Sequence, residues 1–153
     1  KEKYLDFANN FFKGQSRAMD EDTFEYIYDV SDKVTWYVQA ILHGIYEHSK
    51  DVIDRQLVDD VVREIIESQS TAYQNYCAWL TENQQRLLTA IARERLVTSP
   101  LGQIFIRSYN LPAVSSVKAA LKSLVDKQLI SKTPQGYYVS DRFFAKWLSG
   151  HVF

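Results

Sequence analysis

The chain has 153 residues, 46% of them hydrophobic and 24% charged, which suits one ordinary domain or two small ones and excludes a disordered or fibrous polypeptide. A net charge of −1 conceals a division: residues 1–80 hold 8 Lys/Arg against 15 Asp/Glu, and residues 81–153 hold 10 against 4. An acidic half of −7 is joined to a basic half of +6, and only the basic half suggests a polyanionic partner. Cys77 is the sole cysteine, so no intrachain disulfide can form, a Cys-based zinc site is not expected, and a reducing, cytoplasmic setting fits. No apolar run reaches the roughly 18 residues of a membrane span and no signal-peptide core opens the chain, so a membrane is not an expected partner. Lys1 in first place and a single methionine at Met19 suggest a piece of a longer protein.

Taken in order, Tyr4, Ala8, Phe11 and Phe12 fall on one face of an amphipathic helix that Gly14 ends. Asp20-Glu21-Asp22 announces a second helix with Phe24, Ile27 and Tyr28 inward, since acidic residues favour a helix N-terminus. Val34, Tyr37, Val38, Ile41, Leu42 and Ile45 predict a third helix. Leu57, Val58, Val61, Val62, Ile65 and Ile66 predict a fourth, and together these make an all-helical bundle. The aromatic segment Thr71 to Leu80 is read as a helical link between the halves. Thr81 with Gln84 matches a capping box, opening a helix with Leu87, Leu88 and Ile91 inward that ends by Pro100. A short helix from about Gln103 to Tyr109 follows.

The stretch from Leu111 to Tyr138 organises the basic half. Val117, Leu121, Leu124 and Val125 recur at helical spacing, whereas Ser115, Lys118, Ala119 and Lys122 share the opposite face. Leu129 to Lys132, the turn formers Thr133-Pro134-Gln135-Gly136, and Tyr137 to Ser140 then read as strand, turn and strand. A helix followed at once by a hairpin is the winged-helix layout, a helix-turn-helix variant. Asp141 caps a last helix whose Phe143, Phe144 and Trp147 can cover the hairpin. The fold class expected is mainly α: a helical bundle over residues 1–80, then a winged-helix domain with a small β-hairpin over residues 81–153.

A catalytic constellation does not emerge. The glycines Gly14, Gly44, Gly102, Gly136 and Gly150 are scattered and none precedes Lys-Ser or Lys-Thr, so no phosphate-binding loop is present and the chain is not read as an enzyme. His43 and His48 are awkwardly spaced for joint metal ligation, His151 stands near the C-terminus, Cys77 reads as a packed apolar residue, and Asp59-Asp60 reads as a solvated face. The best functional candidates are Ser115, Ser116, Lys118 and Lys122, suited to phosphate and base-edge contact, with Lys132 and Gln135 of the hairpin reaching an adjacent backbone.

The run Leu111 to Ile130, with Ser115-Ser116-Val117, and the tail Tyr137 to Leu148 resemble the C-terminal end of archaeal-type P-loop ATPases of the AAA/STAND group, which bacteria also hold. Lys3 to Phe12 resembles the segment after the ATPase core, and Thr35-Trp36-Tyr37-Val38-Gln39 resembles the start of the helical lid, usually written Gly-x-Pro-Phe-Tyr-Leu-Gln. Tyr37 and Gln39 match that element, while Lys33 and Thr35 stand where it has Gly and Pro. The resemblance implies a helical lid that couples nucleotide state to a winged helix engaging DNA or a protein, with a P-loop ATPase domain upstream as partner. No cofactor is then expected in this chain, and ATP with Mg is expected for the full-length protein. Two other readings stay open: a transcription regulator whose bundle dimerises or senses a ligand, and a protein-interaction module indifferent to nucleic acid.

Overall fold

The computed structural model describes residues 19–48 and 52–150, with Asp6 and Asn10 besides. The helix expected around Tyr4, Ala8, Phe11 and Phe12, and the position of His151, lie outside the described residues. One compact unit ends at Glu67 and a second begins at Ser68.

The first unit contributes three helices, α1 (Glu21–Val30), α2 (Thr35–Glu47) and α3 (Arg55–Ser68, whose last residue already counts with the second unit). α1 opens because Asp20, extended at the cap position, accepts the Thr23 amide at 2.6 Å, and the same bonds hold its carboxyl below the usual range. Asp32 and Lys33 then reverse the chain at φ 50° and 64°. Phe24 and Ile27 of α1, Ile41 and Ile45 of α2, and Leu57 of α3 are fully buried, as their spacing predicts. Each such side chain contributes roughly 1.5–3 kcal/mol of burial. Gly44 lets α2 and α3 approach closely, since a Cβ there would lie 2.5 Å from Val61 Cγ1. Tyr26 of α1 donates its hydroxyl to Asp59 of α3 at 2.7 Å, with the Arg55 guanidinium 5.2 Å over its ring.

The second unit holds α4 (Ser70–Ala78), α5 (Glu82–Glu94), α6 (Gln103–Ser108), α7 (Val114–Asp126), β1 (Ile130–Thr133), β2 (Gly136–Val139) and α8 (Arg142–Ser149). The segment read from sequence as a link packs inside this unit: Tyr73 of α4 is buried, stacks on Phe144 at 4.9 Å, and Trp147 donates its indole N–H to Ser70 at 3.0 Å. Trp147 is thereby turned to α4 as well as to the unit's core, not simply laid over the hairpin. The capping box forms in full, Thr81 Oγ1 accepting from the Gln84 amide and the Gln84 carboxamide accepting from the Thr81 amide. α5 packs on both α7 and α8. Asp141 caps α8 through the Phe144 amide, and Gly150 ends it in the left-handed region.

The hairpin is antiparallel, Ile130 facing Val139 at its base and Thr133 facing Gly136 at its tip, so only Pro134 and Gln135 make the turn. Thr133 belongs to β1 and Gly136 to β2, not to the turn expected from the sequence, and Leu129 and Ser140 fall just outside the strands. The sequence reading also missed a third strand position. Val97, after α5, exchanges both backbone hydrogen bonds with Tyr137 at 2.9 Å, giving the order helix, bridge residue, helix, helix, hairpin. A Cβ on Gly136 would meet Val97 O at 2.6 Å, and its φ of 148° is itself a conformation side chains avoid, which is why glycine stands there.

Candidate nucleic-acid interface

α7 is built to bury one side and offer the other. Val117, Ala120, Leu121 and Leu124 are buried against the unit's core, with Val125 half-buried beside them. Ser115, Lys118, Ala119 and Lys122 are exposed along the opposite side, and Asp126 ends the stripe. The structure therefore brings Ser115, Lys118 and Lys122 together on one surface. Ser116 is half-buried and turned from that stripe. Among the described residues neither lysine is ion-paired, so both ammonium groups face solvent.

Three polar struts fix α7 and the turn before it to α5. Gln84 donates to Ser123 at 3.0 Å, Arg86 donates to the Asn110 carbonyl, and Tyr109 donates its hydroxyl to Glu94 at 2.7 Å. The last bond, with some burial, raises the Tyr109 phenol above its ordinary value. Asn110, at φ 48°, makes the sharp turn, and Ala113 starts α7 with no side-chain cap. The loop leading into the exposed helix is thus rigidly seated, the condition a recognition surface needs.

Lys132 and Gln135 are exposed near the hairpin tip, at the end away from the junction with α7. The Lys132 ammonium sits 5.7 Å over the Tyr137 ring. Across the strands, Ser131 and Ser140 share a hydrogen bond at 2.8 Å and the Arg142 guanidinium lies 4.1 Å over Tyr138. Arg142 is a cation that the sequence reading overlooked, since nothing but the fold sets it against the hairpin.

The family model of a probable winged helix domain matches residues 71–150. The chain belongs to that family. No curated protein and no solved structure matches it significantly. The match agrees with the observed order of elements, with the winged-helix unit beginning at α4 and ending with α8.

The other residues singled out in the sequence lie away from α7 in the chain. Tyr37 and Gln39 belong to the first unit, Tyr37 buried with Trp36 edge-on at 5.0 Å and Gln39 exposed on α2. His48 and Glu64 meet at 3.1 Å and His43 and Glu47 at 3.6 Å, while no group of three metal-ligating side chains occurs among the described residues. Asp60 accepts from Gln56 and Arg63. Burial pushes the half-buried Cys77 thiol upward, away from reactivity. No helix among the described residues is long and apolar enough to cross a membrane.

Proposed function

We propose that the winged helix binds nucleic acid through the exposed face of α7, with Lys118 and Lys122 on phosphates, Ser115 and Ser116 near the start of the helix, and Lys132 and Gln135 as a second contact. The observation that carries this reading is the solvent-facing stripe Ser115, Lys118 and Lys122 on the helix that follows the braced turn. The +6 excess of residues 81–153 supports it, because long-range attraction to phosphate is the sequence-independent part of such binding. A docking surface for a partner protein is the competing use of the same stripe.

We further infer that the chain serves a P-loop ATPase, its first unit acting as a lid that responds to nucleotide, with ATP and Mg held by a domain outside this sequence. Support comes from the lid-like segment. Lys33, standing where the resembled element has Gly, adopts φ 64°, and Thr35, standing where it has Pro, is the first residue of α2, the position proline favours. The backbone has the form that a Gly-x-Pro start would take.

The experiment is a titration of the chain against a labelled duplex at several salt concentrations. Contact with three or four phosphates gives a log-log salt slope of roughly −3, and Lys118→Ala/Lys122→Ala flattens it by up to about 2. Absence of binding even at low salt would sink the nucleic-acid reading and leave α7 as a protein-docking face.

A further inference from the structure

A second cationic feature of the winged helix lies off the α7 face. Arg86 and Arg93 stand about two helical turns apart on α5, so both project from one side of it. Between them Thr89 supplies a hydroxyl, and Ala90, 1% exposed, makes a floor too small to fill the space. With Gln85 and Tyr109 these residues line an open groove of about 300 Å³.

Its two walls are tied together. Arg86 on α5 donates to the Asn110 carbonyl in the α6–α7 turn, and Tyr109 donates to Glu94 at 2.7 Å. A guanidinium has five N–H donors, so the bond to Asn110 leaves most of Arg86 available. Arg93 is exposed and makes no hydrogen bond or ion pair among the described residues. The nearby carboxylate, Glu94, is already engaged by the Tyr109 hydroxyl. The Gln85 carboxamide is spent on the Cys77 and Leu80 carbonyls, so what the groove offers is two planar cationic forks with the Thr89 hydroxyl between them, a donor set matched to a tetrahedral oxyanion.

We propose that this groove takes a phosphate group of a nucleic-acid backbone passing the start of α7, an assignment that rests on the nucleic-acid reading above. Asn110 leads through Leu111, Pro112 and Ala113 directly into α7, so a strand held at the groove is presented to the helix that bears Ser115. Phosphate contacts set the register of a protein on a duplex and base contacts read it. The groove would supply the register and the α7 face the reading.

The test uses the whole chain, a labelled duplex at several salt concentrations, and inorganic phosphate followed through the Arg93 side-chain NMR signal. Arg93→Gln removes a charge without breaking any hydrogen bond described in the fold, and a thermal melt verifies that it folds. Arg86→Lys keeps the charge but loses the fork. The expected result is that Arg93→Gln lowers the salt slope by about 1, weakens all duplex sequences alike, and adds to the effect of Lys118→Ala/Lys122→Ala. Arg86→Lys is expected to weaken affinity while leaving the slope nearly unchanged. An unchanged slope and affinity in Arg93→Gln, with Lys118→Ala/Lys122→Ala still flattening the slope, would overturn the groove while the α7 reading stands. No duplex binding by the unaltered chain would overturn the α7 reading and the backbone assignment together. Inorganic phosphate shifting the Arg93 signal in that case would mark a site for a free phosphate group, contrary to the assignment made.

Discussion

Each unit brings two segments closer than a side chain allows, and each uses a glycine to do so, but what the glycine faces differs. Gly44 in the first unit lies under a methyl group of Val61, on a neighbouring helix. Gly136 in the winged helix lies under the backbone carbonyl of Val97, which is locked into the bridge to Tyr137. A helix contact can widen by a few tenths of an ångström; a backbone carbonyl in a two-bond bridge has nowhere to go. The contrast extends to charge, since the helical unit lies in the acidic part of the chain and the winged helix in the basic part. The first unit is an adjustable packing of helices, the second a fixed frame for a cationic helix.

That difference predicts the largest stability effects. Gly136→Ala combines a 2.6 Å clash with a φ of 148° and should cost on the order of 3 kcal/mol, with loss of the Val97 bridge. Gly44→Ala meets only a side chain and should cost about 2 kcal/mol, as overpacked helix contacts do. Denaturant unfolding of the two variants checks the order. Equal costs, or a larger one at Gly44, would show that the bridge yields as readily as the helix pair.

The helices were legible in the sequence because burial imposes a 3.6-residue period, and the caps at Thr81 and Asp141 because an N-cap requires an oxygen at one position. Val97 was not legible: a strand of one residue has no period, and its partner Tyr137 lies far along the chain. The packing of Tyr73 on Phe144 was likewise hidden, since an aromatic residue on a short helix does not reveal which ring it meets. Among site residues, the α7 stripe followed from helical spacing alone. Arg86, Arg93 and Arg142 acquire meaning only from the α6–α7 turn and the hairpin beside them.

A smaller contrast concerns alkaline pH. Burial, and then the hydrogen bond to Asp59, push the Tyr26 phenol well above its ordinary value, whereas Tyr109 is raised chiefly by its bond to Glu94. A raised folded-state pKa means that the folded protein keeps the proton longer than the unfolded chain. The contribution is therefore present below the unfolded value of about 10 and is lost as pH rises through the folded value. Tyr26→Phe should cost about 1 kcal/mol at neutral pH and lessen the alkaline fall in stability. Ring-carbon NMR titrations of Tyr26 and Tyr109 check the sign, and a Tyr26 that titrates at its ordinary value would refute the strut between α1 and α3.

The smallest expected effect sharpens the likeness of the first unit to an ATPase lid. Lys33 at φ 64° bears a left-handed conformation that costs a side-chain residue roughly 1–2 kcal/mol, offset for glycine by a loss of about 0.5–1 kcal/mol in chain entropy. Lys33→Gly should therefore stabilise the unit by about 0.5 kcal/mol. Thr35 opens α2, and Val34 before it is extended at φ −88° and ψ 117°, the conformation that a following proline demands. Thr35→Pro should add about 0.5 kcal/mol by restricting the unfolded chain. Together the two changes rebuild Gly-x-Pro on the backbone, and thermal melts should rise with each and sum in the double variant. A double variant that melts lower than the natural chain would count against the likeness to the lid element, since Lys33 at φ 64° and Thr35 at the first position of α2 have the backbone that Gly and Pro favour.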